Sequence, residues 1–131
     1  MSRTCPCQSK LTYDRCCQPY IEGVQLPETP TLLMRSRFTA YALGKVNYLI
    51  ATTEASEREK IDGQELATYC KEVKCVGLKI VSAEKGGKND AEGVVKFHAS
   101  LQINGKRQLH IEKSRFIRED GKWVYVDGET N

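Results

Sequence analysis

"AEGVVKFHASLQINGKRQLHIEKSRFIREDGKWVYVDG", residues 91–128, decides the fold. Apolar and polar side chains alternate along "GVVKFHASLQI", "RQLHIEKSRFI" and "KWVYV". That period of two belongs to strands with one buried face. The breaks "NGK" (104–106) and "EDGK" (119–122) carry Asn-Gly and Asp-Gly, which suit tight antiparallel hairpins. Upstream, "VGLKIVSAEKGG" (76–87) alternates in the same way and is followed by "GGKND" (86–90). Four antiparallel strands are therefore expected over 76–87, 91–105, 107–120 and 122–128.

Before these strands the period changes. "TPTLLMRSRFTAYALGK" (29–45) reads as a helix, with Thr31 as its cap, Leu32 as its first residue and Gly44 near its end. Leu33, Met34, Arg37, Phe38, Ala40 and Tyr41 share one side of it. "VNYLIATT" (46–53) gives a second helical piece. "DGQELATYCKEV" (62–73) gives a third, with Leu66, Tyr69, Cys70 and Val73 on one face. Between them, "EASEREK" (54–60) alternates in charge and reads as solvated surface. Helices followed by antiparallel strands make an α+β fold, with the helices laid on one face of a curved sheet.

The chain has 131 residues, enough for one domain with a small appendage. With 40% hydrophobic and 28% charged residues it has the composition of a folded protein, which argues against disorder. A net charge of +3 is too small and too evenly spread to mark a nucleic-acid binder by itself. No apolar run approaches the ~20 residues that span a bilayer. The start "MSRTCPC" lacks the apolar core of a secretion signal. The compartment expected from this is a reducing cytoplasm, where clustered cysteines serve metals or redox chemistry more often than disulfides.

Four of the six cysteines lie in "CPCQSKLTYDRCC" (5–17), spaced C-x-C-x8-C-C. Cys5, Cys7, Cys16 and Cys17 supply the four thiolates of a closed tetrahedral shell. Zinc and iron both accept that donor set. The segment has little to bury, so bound metal would stand in for a core. Arg3, Lys10 and Arg15 are near enough in sequence to screen the charge of such a site. Disulfides or free thiols are the plainer readings, and a catalytic thiol finds no histidine nearby in the sequence. "QLPETP" (25–30) looks like an extended linker. The expected division is a metal knuckle over 1–24, a linker over 25–30 and an α+β domain over 31–131.

"CPCQSK…YDRCC" resembles the SEC-C motif, a short metal-binding element found at the C-terminal tail of the SecA translocase motor and in several other bacterial proteins. The match covers Cys5, Pro6, Cys7, Ser9, Cys16 and Cys17. It departs at Gln8 and Lys10, where the motif has glycine, a residue suited to positive φ. "CCQPY" (16–20), "LMRSRFTAYALG" (33–44) and "EKSRFIREDGKWVYVDG" (112–128) together are similar to the YchJ family of small, functionally uncharacterised bacterial proteins. The resemblance implies a nuclear-transport-factor-2-like (NTF2-like, or cystatin-like) cone of helices on a curved sheet, with a zinc knuckle at the N-terminus. In that family His and Glu are often adjacent before "RSRF"; here Ile111 separates His110 from Glu112. By the same resemblance, the knuckle is expected to dock on the ribosome or on export machinery such as the SecB chaperone. It would touch nucleic acid only indirectly. The sheet of such a fold offers a face for a homodimer.

Arg37 lies mid-stripe on its helix, and a buried guanidinium is costly unless paired. Its expected partner is Glu112 or Asp127. On their strand His110, Glu112, Ser114 and Phe116 share a face, as do Trp123, Tyr125 and Asp127 on the last one. One reading is a pocket near Arg37, Tyr41, Glu112, Ser114 and Trp123 that binds a small molecule or hosts an enzyme site. The other is an Arg–Glu pair that fixes helix against sheet, with Trp123 and Tyr41 as core aromatics. A separate reading makes the knuckle a purely structural metal site with no partner. His98 and His110 fit no catalytic pattern and read as strand-surface or structural residues. Cys70 is expected in the core and Cys75 at its boundary. Arg35, on the polar side of its helix, has the linker or the knuckle within reach.

Overall fold

The computed structural model describes residues 3–130; the first two positions of the expected knuckle range and the last of the domain range lie outside the described residues. A 3-10 turn, Tyr13–Arg15, precedes helices α1 (Gln18–Ile21), α2 (Pro30–Leu43), α3 (Val46–Ala51), α4 (Ala55–Arg58) and α5 (Gly63–Glu72). Strands β1 (Val73–Lys85), β2 (Glu92–Ile103), β3 (Lys106–Glu119) and β4 (Lys122–Thr130) follow. They form one sheet in the order β1-β2-β3-β4, every neighbouring pair antiparallel. The fold is the expected α+β cone.

Helix α2 starts earlier than its sequence suggests. Thr29, not Thr31, is the cap: its side chain accepts the Leu32 N–H at 3.1 Å. Pro30 takes the first helical position, where its fixed φ suits the helix and no N–H is needed. Both residues thus belong to the helix rather than to the linker. Gly44 closes α2 at φ 71, a conformation glycine adopts without a Cβ clash. The charged run 54–60 was expected to be plain surface, yet it contains α4. Glu54 caps it, accepting the N–H groups of Ser56 and Glu57. The Thr53–Tyr125 bridge ties its start to β4. Helix α5 runs straight into β1, since Val73 is already extended.

Inward residues alternate along β2, with Val95, Phe97 and Ala99 buried. They meet Leu33, Met34 and Phe38 of α2, Phe116 of β3 and Trp123 of β4 in one cluster. Burying a side chain such as Phe116 contributes about 2–3 kcal/mol. Register shifts between Cys75 and Gly77 and between Ile80 and Ser82 bend β1, as bulges do. Cys5, Cys7 and Cys17 belong to this same cluster. The knuckle is therefore packed into the cone, and the stretch expected to separate the two does not isolate it.

Candidate metal centre and the cone cavity

The knuckle is built locally. Thr4 and Thr12 form an antiparallel bridge, and the Cys5 N–H donates to Leu11 O at 2.8 Å. The turn between them passes through positive φ twice, at Gln8 (65°) and Lys10 (75°). These are the two positions where the motif has glycine, so the turn survives without it. The 3-10 turn then delivers Cys16, whose N–H donates to Tyr13 O, and Cys17 follows directly.

The four sulfurs converge, all within 4.8 Å of one another. Cys7 and Cys16 are 3.5 Å apart, and Cys16 and Cys17 are 3.8 Å apart. A tetrahedron on ~2.3 Å metal–sulfur bonds has an edge of about 3.8 Å. The donor set therefore fits a single tetrahedral metal ion. All four cysteines are free thiols rather than disulfides. The Cys7 thiol is drawn far below its ordinary value by hydrogen bonds from Cys17 first and Cys5 second. Cys17 is pushed far above it through those bonds with Cys5 and Cys7, and burial pushes Cys16 up to about 11. A cation that takes all four as thiolates displaces the remaining protons.

Side chains other than the cysteines support the knuckle. Thr39 of α2 donates its hydroxyl to Cys17 Sγ at 3.3 Å and lies 3.5 Å from Cys5 Sγ. Ser9 Oγ sits 3.0 Å from Cys16 Sγ and accepts the Leu11 N–H. The guanidinium brought to the knuckle is that of Arg35, which donates to Cys7 O at 2.9 Å. Gln8 Nε2 donates to Val76 O at 3.0 Å. Its amide lies against Gly77, where a Cβ would stand 3.2 Å from Oε1. Sequence reasoning placed Arg35 only loosely and missed Thr39 entirely. A threonine beside an apolar stripe carries no signal of its own.

A second polar cluster sits in the cone. Glu112 Oε1 lies 3.0 Å from His110 Nε2. Its Oε2 accepts the hydroxyls of Ser114 and, at 3.2 Å, Tyr125. Gly128 leaves room for this carboxylate, since a Cβ there would come within 2.7 Å of Glu112 Cγ. Arg37 is buried as expected, but its partners differ. Its Nη1 donates to Leu49 O (2.9 Å), Thr52 Oγ1 (2.7 Å) and Thr53 Oγ1 (3.3 Å). The guanidinium carbon lies 4.7 Å from the centroid of the Tyr125 ring. Tyr125 stands between Arg37 and Glu112 and replaces the expected direct ion pair. Burial pulls the Arg37 pKa down.

Asp127 is not part of this cluster. A register shift lies between Arg115 and Phe116: Arg115 pairs with Asp127 but Phe116 with Tyr125. Val126 is the extra residue, so Asp127 turns outward while Tyr125 turns in. There Asp127 forms a two-pronged bridge with Arg115, both bonds 3.0 Å, which lowers its pKa. Trp123 lies elsewhere in the core. Its Nε1 donates to Glu28 O at 3.1 Å and Arg118 stacks on its ring, so it holds the segment before α2. Among the named candidates, Arg37, Tyr41 and Glu112 line a cavity of about 150 Å³, and Ser114 reaches it only through Glu112. His110, read as structural, lines it as well. So does Cys75, whose thiol burial pushes up to about 11. Cys70 packs with Ala40 and Leu49, and no second group of metal-holding residues occurs among the described residues.

The knuckle and the cone define a class: a SEC-C motif carried on an NTF2-like domain. The SEC-C motif profile matches residues 1–19, and that of "YchJ, middle NTF2-like domain" matches residues 29–128. The chain belongs to the YchJ family. It is similar to a UPF0225 protein of Serratia proteamaculans (strain 568), 42% identical over 130 residues, 98% of this chain and 84% of that one. A UPF0225 protein of Chromobacterium violaceum is 43% identical over 126 residues, 95% of this chain and 90% of its own length. Among solved structures, a SEC-C motif containing protein from Rhodopseudomonas palustris superposes with a TM-score of 0.88 at 32% identity, covering 97% of this chain and 98% of that one. A sec-c motif containing protein from Psychrobacter arcticus gives 0.85 at 27% identity, with coverage of 98% and 83%.

Proposed function

We propose that this is a cytoplasmic zinc protein whose knuckle docks on the ribosome or on protein-export machinery. The observation that carries the metal reading is the convergence of Cys5, Cys7, Cys16 and Cys17, with Thr39 and Ser9 hydrogen-bonded to their sulfurs. Zinc is favoured over iron because a closed four-thiolate shell is the ordinary structural zinc site. The docking reading rests on the SEC-C match and on what the turn displays. Lys10 and Leu11 project from it, Leu11 with 52% of its surface exposed. Hydrogen bonds from Gln8 and Arg35 hold that turn rigidly against the cone, which lowers the entropy lost when a partner binds. No described helix is long and apolar enough to cross a membrane.

Elemental analysis of the purified protein tests the first half, with one zinc per chain expected; iron in that stoichiometry would replace zinc. Co-sedimentation with ribosomes and pull-down with the export chaperone test the second. A Lys10→Glu/Leu11→Glu double variant leaves the sulfurs untouched and should lose association. Equal and negligible association of wild type and variant would leave a purely structural ion. That second reading is favoured by one observation, the membership of Cys5, Cys7 and Cys17 in the main core.

A further inference from the structure

The cone cavity has no part in the docking reading, and its chemistry points to a ligand of its own. We propose that it binds a small organic acid: one aromatic or branched aliphatic body of about benzoate size, with its carboxylate on Arg37. Size is the first argument. The void measures about 150 Å³ and Phe38, Phe97, Ala99 and Leu101 form much of its wall. An apolar void of this volume holds one benzene-sized ring.

Arg37 is the second argument. It lines the cavity, is only 5% exposed and has no carboxylate within ion-pair distance among the described residues. A cation this buried is normally compensated by an anion. All three of its hydrogen bonds leave from Nη1 and reach neutral oxygens. Nε and Nη2 remain, the edge of a guanidinium that grips a carboxylate with two parallel bonds. No buried side-chain nitrogen or oxygen lacks a partner among the described residues. Arg37 is a wall residue of the cavity, which sets these donors beside the space a ligand would fill. Arg37 also borders a neighbouring hollow with Thr53, Glu57 and Leu66.

Glu112, the carboxylate on the cavity wall, is held on its own donors, which lessens its repulsion of an acid. His110, Ser114 and Tyr125 all bond to it and spread its charge. Because Nε2 of His110 faces Glu112, Nδ1 is left to meet a second polar group on the ligand, such as a hydroxyl. Tyr41 and Tyr69 meet edge to face at 6.0 Å on the cavity wall, and Tyr69 is 40% exposed.

The experiment is an amide NMR titration of the full metal-loaded chain with benzoate and, in parallel, with benzyl alcohol. Benzoate should shift resonances of β2 and β3 around Ala99 and His110 and bind about tenfold or more tightly than the alcohol, as expected of a charge-assisted pair. Ala99→Leu fills the void and should abolish both titrations, whereas a ligand in the neighbouring hollow would still bind. Arg37→Gln should erase the preference for the acid. Equal affinity for acid and alcohol, no shifts near Ala99 at millimolar benzoate, or unchanged binding by Ala99→Leu would overturn the proposal. The comparison of acid with alcohol needs no variant, so it decides the matter even where Arg37→Gln fails to fold.

Discussion

The knuckle draws its four sulfurs from residues 5–17, whereas the cavity assembles Arg37 from α2, His110 and Glu112 from β3 and Tyr125 from β4. The first is closed by short loops, whose entropy cost is small. The second exists only after four strands have paired and a helix has packed across them. Helix α2 serves both. Arg35 and Thr39 turn toward the knuckle, and Arg37 turns toward the cavity. A local site needs an ion to hold it together, while a dispersed site borrows its rigidity from the sheet. The two should therefore respond differently to perturbation, but not independently, because the sulfurs lie in the common core.

Metal removal should have the largest effect. A structural zinc contributes an apparent ~10–16 kcal/mol in isolated fingers, so chelation or Cys17→Ser should lower the stability of the whole domain by several kcal/mol. Denaturant unfolding followed by the far-UV signal of the sheet checks this. An unchanged sheet midpoint would show the two regions to be uncoupled. Next comes Glu112→Ala, which takes the acceptor from the buried hydroxyls of Ser114 and Tyr125. A loss of about 2–3 kcal/mol is expected, with metal affinity unaltered. If affinity falls as well, the cavity and the knuckle are more tightly joined than the shared core requires.

Thr39→Val conserves shape and removes the hydroxyl that donates to Cys17. Stability should drop by about 1 kcal/mol and zinc affinity by about tenfold, the usual cost of losing an outer partner of a ligand. Competition with a chromogenic chelator measures it, and the NMR signals of the cavity should stay in place. The smallest effect belongs to the knuckle turn. Lys10 sits at φ 75, a strained conformation for a side-chain-bearing residue. Lys10→Gly should stabilise by about 0.5 kcal/mol after the added chain entropy is offset. Gln8→Gly should gain less, since it also deletes the bond to Val76 O. Thermal melts of both variants side by side would reveal the difference, and a larger gain for Gln8→Gly would mean that this bond adds nothing.

Much of the architecture was legible in local pattern. Period-two alternation with Asn-Gly and Asp-Gly breaks located all four strands, and the cysteine spacing located a group of sulfurs that does converge. The resemblance marked Gln8 and Lys10 as departures from glycine, and the structure shows that both keep positive φ without it. Other features left no such trace. The short helix α4 depends on the Glu54 cap and on pairing with β4, so an alternating charged run looked like plain surface. Asp127 was placed on the inner face by strict alternation, and one bulge residue, Val126, reversed it. Arg37 was recognisably buried, but a sequence shows neither the carbonyl of Leu49 nor the aromatic ring that replaces a carboxylate beside it.

The sequence alone determined that helices precede four antiparallel strands, most of the sheet's inner face and the four ligand candidates, because each is written in spacings of a few residues. Only the tertiary structure decided that the knuckle is welded into the cone and which partners Arg35, Thr39 and Arg37 receive. It also decided that a cavity remains between α2 and the sheet. Those features are set by how twisted strands and a helix meet across long stretches of chain, where the backbone curvature introduced by single bulges changes which side chains face one another.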